Sequence, residues 1–294
     1  MDVKKLWQMP PWDWPSDAAG VLLRTLGDDA ADESDRLRAV EMAGNLIVIN
    51  DDLAGALLTI VHDSTAAQTL RGAAAIALGP VLEHSDLEGF DDPEDVSLSD
   101  HVIAAIRDSL HRVYQDAEIP KEVRRRALEG SVRAQEDWHA GAVQVAYDTG
   151  DNDWRLTAVF CMRFVAGFDD EILDALQSDH PELHYEAVIA AGNFGVEAAW
   201  PYIHALVRSE ETEKPLLLGA IAATASIRPE MASETLSPLA DSGDDDIVEA
   251  VDAALSIARG YWDEGTDIDL DELDDDGLPM NPLTNGGDGG TTFH

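Results

Sequence analysis

This sequence has almost no lysine, a single cysteine and no long apolar run, and each shortage removes a class of protein from consideration. Four lysines and fifteen arginines stand against 59 acidic residues, for a formal net charge of -40. Nucleic acid and anionic lipid are bound chiefly by neutralising phosphates, so a surface of this sign repels both. Neither nucleic acid nor membrane is therefore expected as a partner. Cys161 has no second cysteine to pair with, and its place at a small-residue core position marks a buried thiol. No stretch approaches the ~20 apolar residues of a membrane span, and no apolar h-region opens the chain. The expectation is a soluble cytoplasmic protein. Alternation of apolar and polar residues, the mark of a half-buried strand, is nowhere convincing.

What the chain has instead is alanine in register. Read as a helix, the stretch 180–198, HPELHYEAVIAAGNFGVEA, puts Leu183, Ala187, Val188, Ala190, Ala191 and Phe194 on an apolar face too broad for a surface helix. The same signature recurs seven times, counted from Arg36, Arg71, Arg124, Arg155, His184, Leu217 and Ile247. Three residues on stands alanine in every copy: Ala39, Ala74, Ala127, Ala158, Ala187, Ala220 and Ala250. The next position holds Val40, Leu128, Val159, Val188, Ile221 and Val251, with Ala75 in the second copy. Six on come Ala77, Gly130, Cys161, Ala190, Ala223 and Ala253 in all but the first copy. The starts are 35, 53, 31, 29, 33 and 30 residues apart. Small side chains at fixed helical positions let neighbouring helices approach closely, as stacked helix pairs require.

Ahead of each copy lies a second amphipathic stretch, at 18–26, 53–62, 101–115, 140–148, 171–177, 202–208 and 232–241. Acidic turns such as Asp151-Asn152-Asp153 and Asp244-Asp245-Asp246 precede the broad helices, where carboxylates satisfy free amide donors. Pro120, Pro181 and Pro215 stand at first-turn positions. The predicted fold is all-α, an α-solenoid of about seven helix pairs over residues 17–260.

Pairs of this length, with R-x-x-A-x-x-A-x-G inside the second helix, resemble the HEAT repeat family. LRGAAAIALG at 70–79 and LHYEAVIAAG at 183–192 match best and look like the short HEAT-like repeats of phycobilisome lyases. The pattern departs at Val132 and Arg163, which replace the eighth-position glycine, and at Leu217, which replaces the first arginine. The resemblance implies a scaffold or adaptor surface with the inner helices lining a concave side; only a minority of such proteins are enzymes.

Three segments fall outside the repeats. Residues 1–16 carry Trp7, Trp12 and Trp14 among Pro10, Pro11 and Pro15, and read as an extended cap whose indoles cover the first repeat. The insertion 83–100 has eight acids, no Lys or Arg, and Phe90 as its only aromatic, so an exposed loop is expected. The tail 261–294 has ten acids and no Lys or Arg, and its composition predicts disorder. Asp267, Asp269 and Asp271 start like a calcium loop, but Glu272 takes the glycine position and Leu278 the closing glutamate position.

In so acidic a chain, the basic island 120–133, PKEVRRRALEGSVR, is the leading contact surface, with the aromatic-rich middle repeats beside it. The candidate partner-binding residues are Arg124, Arg125, Arg133, Trp138, Trp154, Arg155, Arg163, Tyr185 and Asn193, each weighed against a packing role. Catalytic constellations fail. His180 and His184 are four apart, but Pro181 places His180 ahead of the helix, and H-E-x-x-H is absent. The di-iron hydroxylases among HEAT proteins use His-Glu dipeptides, and none occurs here. No catalytic residue, metal or cofactor is expected. The functional expectation is a non-catalytic adaptor or scaffold binding a protein partner through its inner helices. The alternative is a HEAT-like enzyme or accessory subunit of lyase or cofactor-loading type.

Overall fold

In the computed structural model, residues 2–28, 30–86 and 98–265 are described, and among them the regular structure is helical throughout. The middle of the acidic insertion, 87–97 with Phe90, and the tail from 266 on lie outside the described residues. After α1 (Val3–Trp7) and a 3-10 turn (Pro11–Asp13), the helices come largely in pairs. They are α2 (Ala18–Leu26) with α3 (Glu33–Ala43), then α4 (Asp51–His62) with α5 (Gln68–Ala77). A short α6 (Gly79–Asp86) precedes α7 (Asp100–Gln115) with α8 (Lys121–Ser131). There follow α9 (Asp137–Asp148) with α10 (Asn152–Cys161), and α11 (Asp169–Ala175) with α12 (Pro181–Asn193). The last are α13 (Trp200–Arg208) with α14 (Lys214–Ile227), and α15 (Pro229–Leu236) with α16 (Asp245–Gly265). The second helix of each pair packs on the second helix of the next, giving the unbroken series α3, α5, α8, α10, α12, α14 and α16. Stacking in which each pair touches only its neighbours is the α-solenoid.

The alanine register is the axis of this stack. Ala39, Ala74, Ala127, Ala158, Ala187 and Ala220 are fully buried, as are the following Val40, Ala75, Leu128, Val159, Val188, Ile221 and Val251. Each buried Val, Leu or Ile contributes roughly 1.5–3 kcal/mol of transfer free energy. The register opens out only in α16, where Ala250 is half-buried, Ala253 is exposed and Ile257 is 50% exposed. No further inner helix of the described chain covers that face.

Glycine sets how close the inner helices come. A β-carbon on Gly44 would overlap the Ala77 carbonyl of α5, and one on Gly192 would lie 2.9 Å from the Ala223 β-carbon of α14. Lysine ties the N-termini of successive inner helices. Lys121 bonds Asp151 and Asp153 at 3.0 and 2.6 Å, and Lys214 bonds Asp244 and Asp246 at 2.8 and 2.6 Å. Asp151 also accepts from the amides of Asp153 and Trp154, so the cap of α10 and the tie to α8 share one carboxylate.

Three expectations need correction. The N-terminal cap is not extended: Val3–Trp7 forms a turn of helix ahead of Pro10, with Val3 and Leu6 buried. Its indoles do little of the covering, because Trp12 is 78% exposed and Trp7 50%, while Trp14 donates to the carbonyls of Leu6 and Met9. The insertion does not begin as a loop, since Glu83 lies within α6, whose Val81 and Leu82 are buried. The helical pattern also outlasts residue 260, with α16 running to Gly265.

Candidate functional site

A groove runs along the exposed face of the inner helices. Its lining falls one, five and nine positions after the start of the first two copies, a spacing of about one helical turn, and the next three copies keep part of that series. These positions are Leu37, Glu41 and Asn45 in the first copy, and Gly72, Ile76 and Pro80 in the second. Glu129 and Arg133 continue the line on and just past α8, Leu156 and Phe160 on α10, and Tyr185 on α12. Two hollows of about 830 and 930 Å³ make up the groove, and they share Ile76, Arg126 and Arg133. The second extends to Glu213, Pro215 and Leu216 at the start of α14.

The middle of the groove is built over buried charge. The apolar core falls into two clusters that meet at α8, one holding Val123 and Ala127 and the other Leu128 and Val132. There the α8 and α10 interface is polar. Arg125 donates to Thr157 at 2.9 Å and to Glu122 at 2.8 Å, and Thr157 in turn donates to Glu129 at 2.5 Å. Arg126, above them, bridges Glu122 and Glu129 at 2.8 and 2.7 Å. The buried Glu129 is thus held by a guanidinium and a hydroxyl, which offset its desolvation.

Two further arginines lie against aromatic faces. Arg133 pairs with Glu83 at 2.6 Å and stands 5.3 Å over the Phe164 ring. Arg163 pairs with Glu186 at 3.1 Å and lies 5.3 Å over Phe160. Burial pushes the Glu186 carboxyl above its usual range, against the opposing pull of Arg163.

The predicted contact residues divide between the groove and the packing. Arg133 and Tyr185 line the groove. Arg163 adjoins it through Phe160 and Glu186, and Asn193 donates to the Arg163 carbonyl at 3.0 Å. Arg124 turns the other way and donates to the Tyr114 carbonyl at 2.8 Å, lying 5.6 Å over Trp154. Arg36 and Arg71 do the same to Leu26 and Val61, so the first arginine of these copies satisfies a last-turn carbonyl ten residues back. Arg125 is buried between α8 and α10. Arg155 bonds Tyr147 and Asp174. Trp138 stacks on His111 at 4.1 Å and donates to Glu136. Sequence reasoning passed over Arg126, Glu129, Ile76, Leu156 and Glu182, all of which line the groove. The available signal was the register one and five positions after each copy's start, which holds Ile76, Glu129 and Leu156 but not Arg126 or Glu182.

Several of the remaining histidines and the cysteine are engaged within the described fold. His62 lies 2.6 Å from Ser109, joining α4 to α7, and Ser109 is buried. His139 takes the Glu136 amide on Nδ1 at 2.8 Å, and its Nε2 lies 3.1 Å from Ser131. Burial raises the Cys161 thiol well above its ordinary value, which keeps it protonated and unreactive. His180 stands at the N-cap position of α12 without a side-chain capping bond, and His184 lies within the helix, as the proline between them predicts. Among the described residues no three His, Cys, Asp or Glu side chains gather as a metal site, and no helix is long and apolar enough to cross a membrane.

The class defined by fold and groove is therefore a helical-repeat solenoid. No family model matches the chain, and no curated protein matches it. Among solved structures, human deoxyhypusine hydroxylase in complex with glycerol is 16% identical over 88% of this chain and 96% of its own, with a TM-score of 0.38. YibA of Escherichia coli is 12% identical over 91% and 93%, with a TM-score of 0.45. An engineered protein is 17% identical over 84% and 98%, with a TM-score of 0.34. No activity passes to this chain from likenesses so remote.

Proposed function

We propose that this chain is a non-catalytic adaptor or scaffold of the HEAT type, which holds a segment of a partner protein along its inner helices. One observation carries the reading. The groove crosses successive inner helices from α3 to α14, and it presents Ile76, Leu156, Phe160, Tyr185 and Leu216 with no other part of the described chain filling it. Aromatic and arginine side chains at the centre of a hollow are what interface hot spots are made of. Nucleic acid and membrane are not its ligands on this reading, because the net charge of -40 opposes both.

Capture from the native host tests the proposal with three baits: the wild type, Phe160→Ser/Tyr185→Ser, and Val145→Ser on α9 outside the groove. Proteins held by the wild type and Val145→Ser but lost from the double variant, with helical content unchanged, are the expected partners. The same proteins on all three baits would remove the groove as the interface.

The second reading, an enzyme or accessory subunit of lyase or cofactor-loading type, draws on Glu186, an acid raised by burial beside the groove. Metal analysis of the purified protein and ligand-dependent shifts in its melting temperature discriminate the two.

A further inference from the structure

The arginines that line or adjoin the groove are engaged and several of its anions are not. Arg126, Arg133 and Arg163 each pair with a glutamate of the chain itself. Glu41 at one end, and Asp179, Glu182 and Glu213 at the other, line the groove. None of these four has an ion pair among the described residues, whose pairings include the two acids next in line, Glu129 and Glu186. Between the two acidic ends lie Ile76 and, past the internally paired Arg126, Glu129 and Arg133, the apolar stripe of Leu156, Phe160 and Tyr185.

Resting on the groove reading above, we infer that the bound segment is apolar in its middle and carries Lys or Arg toward its ends. The stripe buries the apolar part, while Glu182 and Glu213 at one end and Glu41 at the other receive the cations. An anionic segment meets unpaired carboxylates at both ends and finds no uncommitted guanidinium between them, so charge complementarity selects against it. Length follows from the stacking. Five steps from α3 to α14 at interaxial distances of about 8–10 Å span roughly 40–50 Å, which an extended peptide crosses in about 14 residues.

Fluorescence anisotropy with three labelled 14-residue peptides tests this against the full chain. The first has a Leu/Phe/Ala centre with Lys at both ends, the second the same centre with Glu at both ends, and the third Lys ends around a Ser/Gly centre. The first peptide is expected to bind, and the other two at least about tenfold more weakly. Glu182→Gln/Glu213→Gln is expected to weaken the first peptide several-fold. Asp108→Asn/Asp170→Asn, which removes the same charge from the outer helices α7 and α11, is expected to leave it within about twofold. Equal binding of the Lys-ended and Glu-ended peptides, or equal loss in both charge variants, overturns the inferred partner chemistry and leaves the groove standing. If no peptide binds, or if binding ignores Phe160→Ser/Tyr185→Ser, the groove reading falls and this inference with it.

Discussion

Gly130 of α8 lies directly against the backbone of Ala75 of α5, so close that a β-carbon at position 130 would overlap the Ala75 carbonyl oxygen. Gly130 is one of the small residues six positions into a copy, read from the sequence as tolerant of close approach, and here it sets the separation of α5 and α8. The groove inherits its spacing from that contact, since Ile76 of α5 and Glu129 of α8 are the residues next to it on either side.

Gly130→Ala and Gly44→Ala are each expected to destabilise the chain by roughly 1–3 kcal/mol, the usual cost of overpacking. Gly141→Ala is the control, because its β-carbon meets no atom within 4 Å on α9. That change should stabilise by about 0.5–1 kcal/mol, through helix propensity. Thermal unfolding of the three variants checks the contrast, and equal shifts would contradict it.

Arg71 is buried and donates through Nε to the Val61 carbonyl at 2.9 Å. Arg71→Met keeps much of the volume but leaves that carbonyl without its donor, for an expected loss of about 1–3 kcal/mol. Arg24, exposed on α2, gives the comparison: Arg24→Met should stay within about 0.5 kcal/mol. Urea unfolding midpoints at constant slope distinguish them.

His139 is almost wholly buried, and burial lowers its pKa from 6.5 to about 4, with the nearby Glu136 opposing the shift. Its Nδ1 must stay unprotonated to accept the Glu136 amide. The unfolded chain takes up this proton near pH 6.5 and the folded one only near 4. The contribution of His139 is therefore full above pH 6.5, falls as pH drops through that window, and amounts to no more than about 3 kcal/mol. Glu186, raised by burial, has the opposite sign: its destabilising effect is relieved as pH falls through its raised value. An imidazole titration followed by NMR should place His139 near pH 4, and a midpoint near 6.5 would contradict the burial argument.

The register of alanines was readable because it serves the repeat axis, where every copy meets the same neighbour. The helix pairs followed from it, and the outer helices predicted at 18–26 and 101–115 match α2 and α7 to within a residue. What the register could not supply was the direction of side chains off that axis. Arg124, Arg125 and Arg126 are consecutive on one helix and so point about 100° apart. Arg124 turns back to Tyr114, Arg125 enters the α10 interface, and only Arg126 reaches the groove. A run of like charges conceals this division until the neighbouring helices are in place. The turn of helix at Val3–Trp7 was hidden for a similar reason, because Pro10 and Pro11 limit its length without preventing it.

The central claim is that a partner segment lies across the inner helices, and site-specific photocrosslinking in the native host tests it most directly. With p-benzoylphenylalanine placed singly at Phe160, Tyr185, Leu216 and, as control, Val145, the account predicts one common crosslinked protein from the three groove positions and none from Val145. Crosslinks from Val145 with none from the groove would contradict it.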